Sequence, residues 1–299
     1  MLTLLLALAS APAADTIPMA YTAHRVYDSR HKRFSDLETL AAEVSKADVV
    51  FIGEQHDNPG THRMELAILD AIGRRRGDVV VALEMFERDV QSVLNGYLAG
   101  TIEEADFLKA TRPWPNYNAD YRPLVEYAKA RGWRVIAGNV PRKIAASVFN
   151  KGIGVVQELP ETSRRWAAEN FECPKGKYAD RVAATLKDHP AGPGPGPTPE
   201  EMARMERTIY EAQCVKDETM SESIARARGT GTPLVIHYNG AFHSDYGQGT
   251  AERARRRLPD AKVIVISAIP VADLDAVKGK PDRKVADWII YTLPTPKKS

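Results

Sequence analysis

The sequence lacks the motifs that mark several common enzyme classes. It has no Gly-x-Ser-x-Gly turn, no Walker phosphate loop, no His-Glu-x-x-His motif and no glycine-rich dinucleotide fingerprint after a predicted strand. These absences argue against the commonest hydrolases, kinases and dehydrogenases. Hydrophobic content is 43%, which is ordinary for a globular protein with a sizeable core.

Charge of one sign and long apolar runs are also scarce. The net charge is only +2 at pH 7, and two arginine clusters at 74–76 and 255–257 fall near predicted helix C-termini, where cations are favoured anyway. We therefore expect no nucleic-acid partner. No stretch is long enough to span a bilayer, so we expect peripheral membrane association or none.

The start of the chain resembles a secretion signal. Leu2–Ala9 is a short apolar run, and Ala11–Ala13 resembles a signal-peptidase site, although the usual basic residues before the run are missing. We predict a signal peptide over residues 1–13 and an exported, for example periplasmic, protein. Cys173 and Cys214 would then form a disulfide or remain as two thiols, because spacing alone does not decide.

The hydrophobic pattern predicts strands that alternate with helices. Because this order implies parallel strands joined by crossover helices, we predict an α/β fold with a central, mainly parallel sheet flanked by helices. The predicted strands are Tyr21–Asp28, Asp48–Ile52, Val79–Leu83, Trp133–Ala137, Leu234–Tyr238, Ala261–Ala268 and an edge strand at Val285–Thr292. The predicted helices begin at the N-cap Ser35 and continue with His62–Arg75, Arg88–Leu98 and Pro123–Arg131, and Trp114–Tyr121 is a predicted loop.

A helical insertion interrupts the predicted sheet between residues 143 and 228. It contains helices at Ser163–Phe171 and Lys177–Asp188, a Pro/Gly run at Pro190–Pro199 and a long helix at Pro199–Arg228. We interpret residues 14–299 as one domain that carries this insertion. Gln213 lies within an apolar face of the long helix, so it either bonds a buried backbone group or points into a functional pocket.

Two apolar strands end in the same Gly-x-x-His pattern, at Gly53–His56 and Gly240–His243. Glu54 and Glu84 also stand at predicted strand ends, and so does Asn139. Since the carboxyl ends of parallel strands meet at one edge of a sheet, we predict a shared site made by Glu54, His56, Glu84 and His243. Such groups suit a divalent metal held by Glu54, His56 and His243, or metal-free acid–base catalysis.

Each histidine also has a structural interpretation. His56 could cap the turn that follows it, and His237 lies inside a strand and is interpreted as a hydrogen-bonded core residue. His62 stands in the first turn of a helix, where it is either a second ligand reaching back toward His56 or a surface residue.

Tyrosines cluster around the predicted site loops. Tyrosine and histidine are both known axial ligands of haem iron, although tyrosines in loops are also common in ordinary packing. No Cys-x-x-Cys-His motif is present, so covalent haem attachment is excluded. The tyrosines concerned are Tyr117, Tyr121, Tyr127, Tyr238 and Tyr246.

The chain resembles the ChaN-like haem-binding, iron-regulated proteins of bacterial envelopes. These belong to a wider grouping with the erythromycin esterases and the Tiki/TraB metalloproteases. The resemblance covers nearly the whole mature chain, in order. The matching stretches are Gly53–Asn58, Ala82–Phe86, Trp114–Tyr121, Ala137–Arg142, Gln213–Met220 and His237–Asp245.

The resemblance implies an α/β core with a helical insertion and a role in haem binding or iron acquisition, with a homodimer as one arrangement. Within the matching stretches, the candidate haem contacts are Asn139, Arg142, Gln213, Tyr121 and Tyr238. The Tiki branch implies instead a metal-dependent hydrolase built on Glu54, His56, Glu84 and His243. ChaN-like members are often lipoproteins, and no cysteine follows the leader of this chain.

Overall fold

A computed structural model describes residues 22–187, 198–229 and 231–294. The predicted signal peptide at 1–13 and residues 190–197 of the Pro/Gly run lie outside these ranges. None of the helices in the described residues is long and apolar enough to cross a membrane.

An eight-stranded sheet forms the centre of the molecule, in the order β2-β1-β8-β7-β3-β6-β4-β5. Six strands from β8 to β5 run parallel, and β1 pairs antiparallel with both β2 and β8. The predicted α/β fold with a mainly parallel sheet is therefore confirmed. The strands are β1 His24–Asp28, β2 Arg33–Ser35, β3 Val49–Glu54, β4 Val79–Glu87, β5 Arg134–Asn139, β6 Leu234–Gly240, β7 Val263–Pro270 and β8 Trp288–Thr292.

Helices cover the sheet, and most of them lie where the chain crosses between parallel strands. Before β5 they are α1 Leu37–Val44, α2 Pro59–Gly73, α3 Gln91–Leu98, α4 Glu104–Thr111, α5 Tyr117–Asp120 and α6 Arg122–Ala130. After β5 they are α7 Arg142–Lys151, α8 Val155–Glu158, α9 Glu161–Arg164, α10 Lys177–Lys187, α11 Pro199–Arg228 and α12 Gly249–Arg257.

The continuous apolar runs form central strands because both faces of the sheet are covered. Every residue of β3 is buried, and its side chains alternate between two hydrophobic clusters. Val50 and Ile52 belong to one cluster, whereas Val49 and Phe51 belong to the other. This two-sided burial is typical of parallel strands under crossover helices.

Several predicted boundaries were wrong. β8 is not an edge strand, because β1 pairs with it from the far side and β2 forms that edge. β4 continues to Glu87, four residues beyond the predicted end at Leu83. The N-cap of α1 is Asp36 rather than Ser35, since the Asp36 carboxylate accepts the N–H of Thr39.

Some short elements were missed or misplaced. Strand β2 and helices α4 and α12 were not predicted, and the predicted loop at Trp114–Tyr121 contains α5. The helix predicted at Ser163–Phe171 is reduced to the single turn α9. These elements are short or strongly polar, so hydrophobic periodicity hardly marks them.

The described residues between β5 and β6 contain helices α7 to α11 and no strand. Helix α11 begins where Thr198 and Glu201 form a capping box around Pro199 at the first helical position. A disulfide joins Cys173, which precedes α10, to Cys214 in α11. Of the two cysteine states left open by the sequence, the disulfide is the one present.

The disulfide predicts a stability effect that depends on the redox state. It closes a loop across 41 positions of sequence, so its loss should lower the free energy of unfolding by about 2–4 kcal/mol. Urea denaturation of the Cys173→Ala/Cys214→Ala double variant would measure this. Reductant should lower wild-type stability to the value of the variant and leave the variant itself unchanged. Equal stability of oxidised wild type and variant would contradict the expectation.

Candidate functional site

Three neighbouring strands bring the predicted site residues to one edge of the sheet. β6 lies between β3 and β4, and Glu54 at the end of β3 is level with Gly240 at the end of β6. The pairing of β4 with β6 ends at Leu83, so Glu84 is the first residue of β4 beyond that pairing. The backbone N–H of Gly240 donates to Glu84 Oε2 at 2.8 Å, which ties the two strand ends together.

A cleft of about 320 Å³ opens above these strand ends. Its floor is the edge of the sheet, and helices α10 and α11 form one of its walls. The lining residues are His56, Glu84, Trp114, Val182, Thr185, Gln213, Lys216, Gly240, Phe242 and His243.

The first histidine of the cleft is oriented by a buried carboxylate. His56 Nδ1 lies 2.5 Å from Glu54 Oε1, and the Tyr121 hydroxyl donates to the same oxygen at 2.7 Å. The His56 side chain is 46% exposed, whereas that of Glu54 is fully buried. Burial alone would lower the pKa of His56, but Glu54 and the charge of Glu84 outweigh it and raise that pKa.

Gly240 leaves the space that the His56 ring occupies. A Cβ atom at position 240 would lie 2.8 Å from His56 Cε1 and 2.9 Å from Nε2. Contacts this short are not tolerated, so any larger residue here would displace the imidazole. Gly240, the glycine of the second Gly-x-x-His motif, therefore leaves room for His56, the histidine of the first motif.

The second histidine of the cleft is held by a helix of the insertion. His243 Nδ1 lies 2.7 Å from Asp217 Oδ1 in α11, and Thr250 donates to the same oxygen at 2.7 Å. On the other side of the ring, Nε2 lies 3.5 Å from Glu84 Oε1.

The charged forms of His243, Asp217 and Glu84 stabilise one another. Burial would raise the pKa of Asp217 and of Glu84, but His243 and other nearby cations hold both pKa values below the usual range. Burial would lower the pKa of His243, but Glu84 and Asp217 outweigh it and raise that pKa. The imidazolium form is thus favoured between two carboxylates.

A second layer of polar groups lies behind the cleft. His62, in the first turn of α2, is buried rather than on the surface. Its Nδ1 lies 2.9 Å from Glu65 Oε2 and 3.4 Å from Glu54 Oε2, while Nε2 donates to the backbone carbonyl of His56 at 3.2 Å. Burial and repulsion from Glu65 raise the pKa of Glu54 to about 8, and burial raises that of Glu65 to about 8.

Within the described ranges, Glu54, His62 and Glu65 are the one group of three whose donor atoms all lie within 4.8 Å of one another. The metal ligands predicted from sequence, Glu54, His56 and His243, do not form such a group. Glu54 does not line the cleft and instead orients His56 from a buried position.

The predicted haem contacts are scattered. Gln213 lines the cleft, and its buried Oε1 has no hydrogen-bond partner. Tyr121 lies beneath the cleft against Glu54. Asn139 ends β5 and accepts the N–H of Val140, and Arg142 is exposed at the start of α7.

Tyr238 is fully buried in the hydrophobic core and does not line the cleft. Asn139 and Arg142 do not line it either. The roles of these three residues as haem contacts stay predictions, because none of the three lines the cleft. His237 is also a core residue, with its ring edge-on to Phe51, and burial lowers its pKa to about 4.

Sequence reasoning missed Lys216 and Asp217, both on α11. Together with Gln213 they stand at positions i, i+3 and i+4, which share one side of a helix. That spacing could have identified them, because Gln213 already stood out as a polar residue within an apolar helix face. Glu65, three residues after His62, was also missed, although i and i+3 residues meet on a helix surface.

The Asp217–His243 pair predicts a change that NMR can follow. Replacing Asp217 with asparagine removes one of the two carboxylates that raise the pKa of His243, so this pKa should fall. An imidazole titration by NMR would measure it, with Asp180→Asn, an exposed carboxylate of α10, as the matched control. An unchanged His243 titration in Asp217→Asn would contradict the assigned geometry.

Comparisons with known proteins agree with this architecture. ChaN of Campylobacter jejuni, described as binding haem cofacially, has a TM-score of 0.67 at 18% identity, over 89% of this chain and 96% of that chain. An erythromycin esterase mutant in its open conformation has a TM-score of 0.53 at 11% identity, over 93% of this chain and 99% of that one. At such identities these likenesses show the fold alone.

A curated relative and a family model extend the comparison. Protein RETICULATA-RELATED 5, chloroplastic, of Arabidopsis thaliana is 24% identical over 274 residues, which cover 87% of this chain but only 36% of that protein. The chain thus spans about a third of the length of this relative. The family model described as "Haem-binding uptake, Tiki superfamily, ChaN" matches residues 40–254. Because this match covers more than half of the sequence, the chain belongs to that family.

Proposed function

We propose that the protein binds haem in the cleft at the carboxyl ends of β3, β4 and β6. We further propose that it does so as an exported protein of the bacterial envelope that serves haem or iron uptake. Membership of a haem-binding uptake family is the observation that carries this proposal. The similar fold of a ChaN described as binding haem supports it.

The cleft offers the groups that a haem requires. Trp114, Val182 and Phe242 supply apolar surface for a porphyrin, and Lys216 supplies a cation for a propionate. Lys216 forms no ion pair among the described residues, so its ammonium is available to a ligand. Haem would bring redox-active iron and an open coordination position, and the protein residues would bind and orient it.

His56 is the side chain best placed to ligate the iron. Its Nδ1 is taken by Glu54, which leaves Nε2 facing the cleft. Tyr121 and Tyr238 are less suitable because burial raises their pKa values far above the usual range, whereas tyrosine ligates iron as a phenolate. A carboxylate on the opposite nitrogen also makes an imidazole more basic, which strengthens it as a ligand.

The size of the cleft fits a haem that is only partly enclosed. Its volume of about 320 Å³ lies at the lower end of the range of about 300–1,000 Å³ found for ligand pockets. Part of a bound haem would thus remain outside the cleft. We propose that a second copy of the chain covers the exposed part of the haem in a homodimer, a proposal motivated by the cofacial haem binding described for ChaN of Campylobacter jejuni.

A haemin titration tests this proposal. Wild-type protein should show a saturable Soret shift at micromolar concentration. His56→Ala should weaken binding by about tenfold or more, equivalent to about 1.4 kcal/mol, and should change the Soret position. His31→Ala is the matched control, because His31 is an exposed histidine that pairs with Asp28 away from the cleft. Absence of a saturable shift in wild type would overturn the proposal.

A metal-dependent hydrolase is the second candidate, and one observation favours it. Two histidines present Nε2 toward the same cleft, and each has Nδ1 fixed by a buried carboxylate, Glu54 or Asp217. Carboxylate–histidine pairs are found both in metal ligation and in general-base catalysis. Glu84 lies 3.5 Å from His243 Nε2 and, as a carboxylate, could accept a proton.

Peptidase and ester hydrolysis assays with and without added Zn²⁺ or Mn²⁺ separate this candidate from haem binding. If the cleft is hydrolytic, His243→Ala should lower the rate by about a hundredfold or more, and His31→Ala should leave it unchanged. No metal-dependent turnover in wild type would remove the hydrolase and leave haem binding.

A further inference from the structure

Behind the cleft lies a buried cluster of which only Glu54 takes part in the proposed haem site. Glu54 at the end of β3 meets His62 and Glu65 of α2, and the side chains of all three are at most 2% exposed. Glu54 Oε2 and Glu65 Oε1 have no hydrogen-bond partner. An unpaired carboxylate is costly to bury, so two of them side by side must either share protons or hold a cation.

The tautomer of His62 sharpens this requirement. A backbone carbonyl only accepts hydrogen bonds, so the contact between His62 Nε2 and the His56 carbonyl places the N–H on Nε2. When the imidazole is neutral it has one N–H, and Nδ1 then presents its lone pair to Glu54 Oε2 at 3.4 Å and to Glu65 Oε2 at 2.9 Å. Three electron-pair donors therefore converge, and either shared protons or a cation must lie among them.

We propose that Glu54, His62 and Glu65 form a buried site for a divalent metal ion of the Zn²⁺ class. In tetrahedral zinc sites, bonds of about 2.0–2.2 Å place neighbouring ligand atoms about 3.3–3.6 Å apart. The spacings of 3.4 and 2.9 Å from His62 Nδ1 are close to these values, and all three donors lie within 4.8 Å of one another. The ion would neutralise both carboxylates, and Glu65 Oε1 or a water would complete the coordination.

The surrounding hydrogen bonds are those of a supported metal site. The His62 Nε2–H donates to a backbone carbonyl, as the outer nitrogen of a metal-bound histidine commonly does. The outer oxygen of Glu54, Oε1, is engaged by Tyr121 and His56. The ion would fix Glu54, and Glu54 in turn fixes the ring of His56 in the cleft.

The buried site is distinct from a metal site in the cleft, and variants of His56 and His243 distinguish the two sites. A cleft ion would use His243, whose Nε2 faces Glu84, whereas the buried ion would not. The buried site also does not depend on haem binding. His56→Ala should therefore lose haem affinity and keep the buried ion.

Metal analysis of the purified full-length protein tests the proposal. After removal of metal with a chelator, the protein should take up one equivalent of Zn²⁺ or Co²⁺, and bound Co²⁺ should give a visible absorption band. Glu65→Gln and His62→Ala should each lose this equivalent, whereas His243→Ala and His31→Ala should keep it. Circular dichroism of each variant reports whether it is folded.

Two results would overturn the proposal. The first is less than about 0.1 equivalent of bound metal in wild type together with no Co²⁺ band, which would mean that a proton holds the three donors together. The second is full retention of the metal in folded Glu65→Gln. If His62→Ala does not fold, Glu65→Gln and the Co²⁺ band still decide the question.

Discussion

The order of three parallel strands is the constraint on which the site depends. β6 inserts between β3 and β4, and its register sets Gly240 level with Glu54. Residues far apart in sequence thereby meet at one edge of the sheet, where the strands end and side chains can leave the core. The Gly240 N–H bond to Glu84 joins the ends, and the missing side chain of Gly240 leaves room for His56.

Buried carboxylates position the histidines at that edge of the sheet. Each cleft histidine has one nitrogen bound to a buried carboxylate, so its other nitrogen is directed toward the cleft. The carboxylates are tolerated because each has a cationic or donor partner. Glu54 connects the cleft to the layer behind it, since one oxygen bonds His56 and Tyr121 while the other faces His62. The same arrangement of histidines and carboxylates suits iron ligation, proton transfer and metal binding.

The convergence of Glu54, His56, Glu84 and His243 was predictable from sequence, because strand ends of a parallel sheet share an edge. The partners on helices were not. Asp217 and Glu65 depend on how α11 and α2 are rotated against the sheet, and hydrophobic periodicity fixes such rotation only roughly. Tyr238 illustrates a related limit. Side chains alternate along β6, so Tyr238 and His237 lie on opposite faces of the sheet. Because both faces are buried, the sequence did not show that Tyr238 lies in the hydrophobic core. The interior position of β8 depends on the antiparallel addition of β1, a long-range pairing without a local signal.

Resonance Raman and electron paramagnetic resonance spectra of the ferric haem complex test the central claim most directly, because they identify the atom bound to iron. The account predicts histidine ligation in wild type and its loss in His56→Ala, with Asp217→Asn retaining it. Tyrosinate ligation in wild type, or identical spectra for wild type and His56→Ala, would contradict a haem site organised by the strand-end histidine.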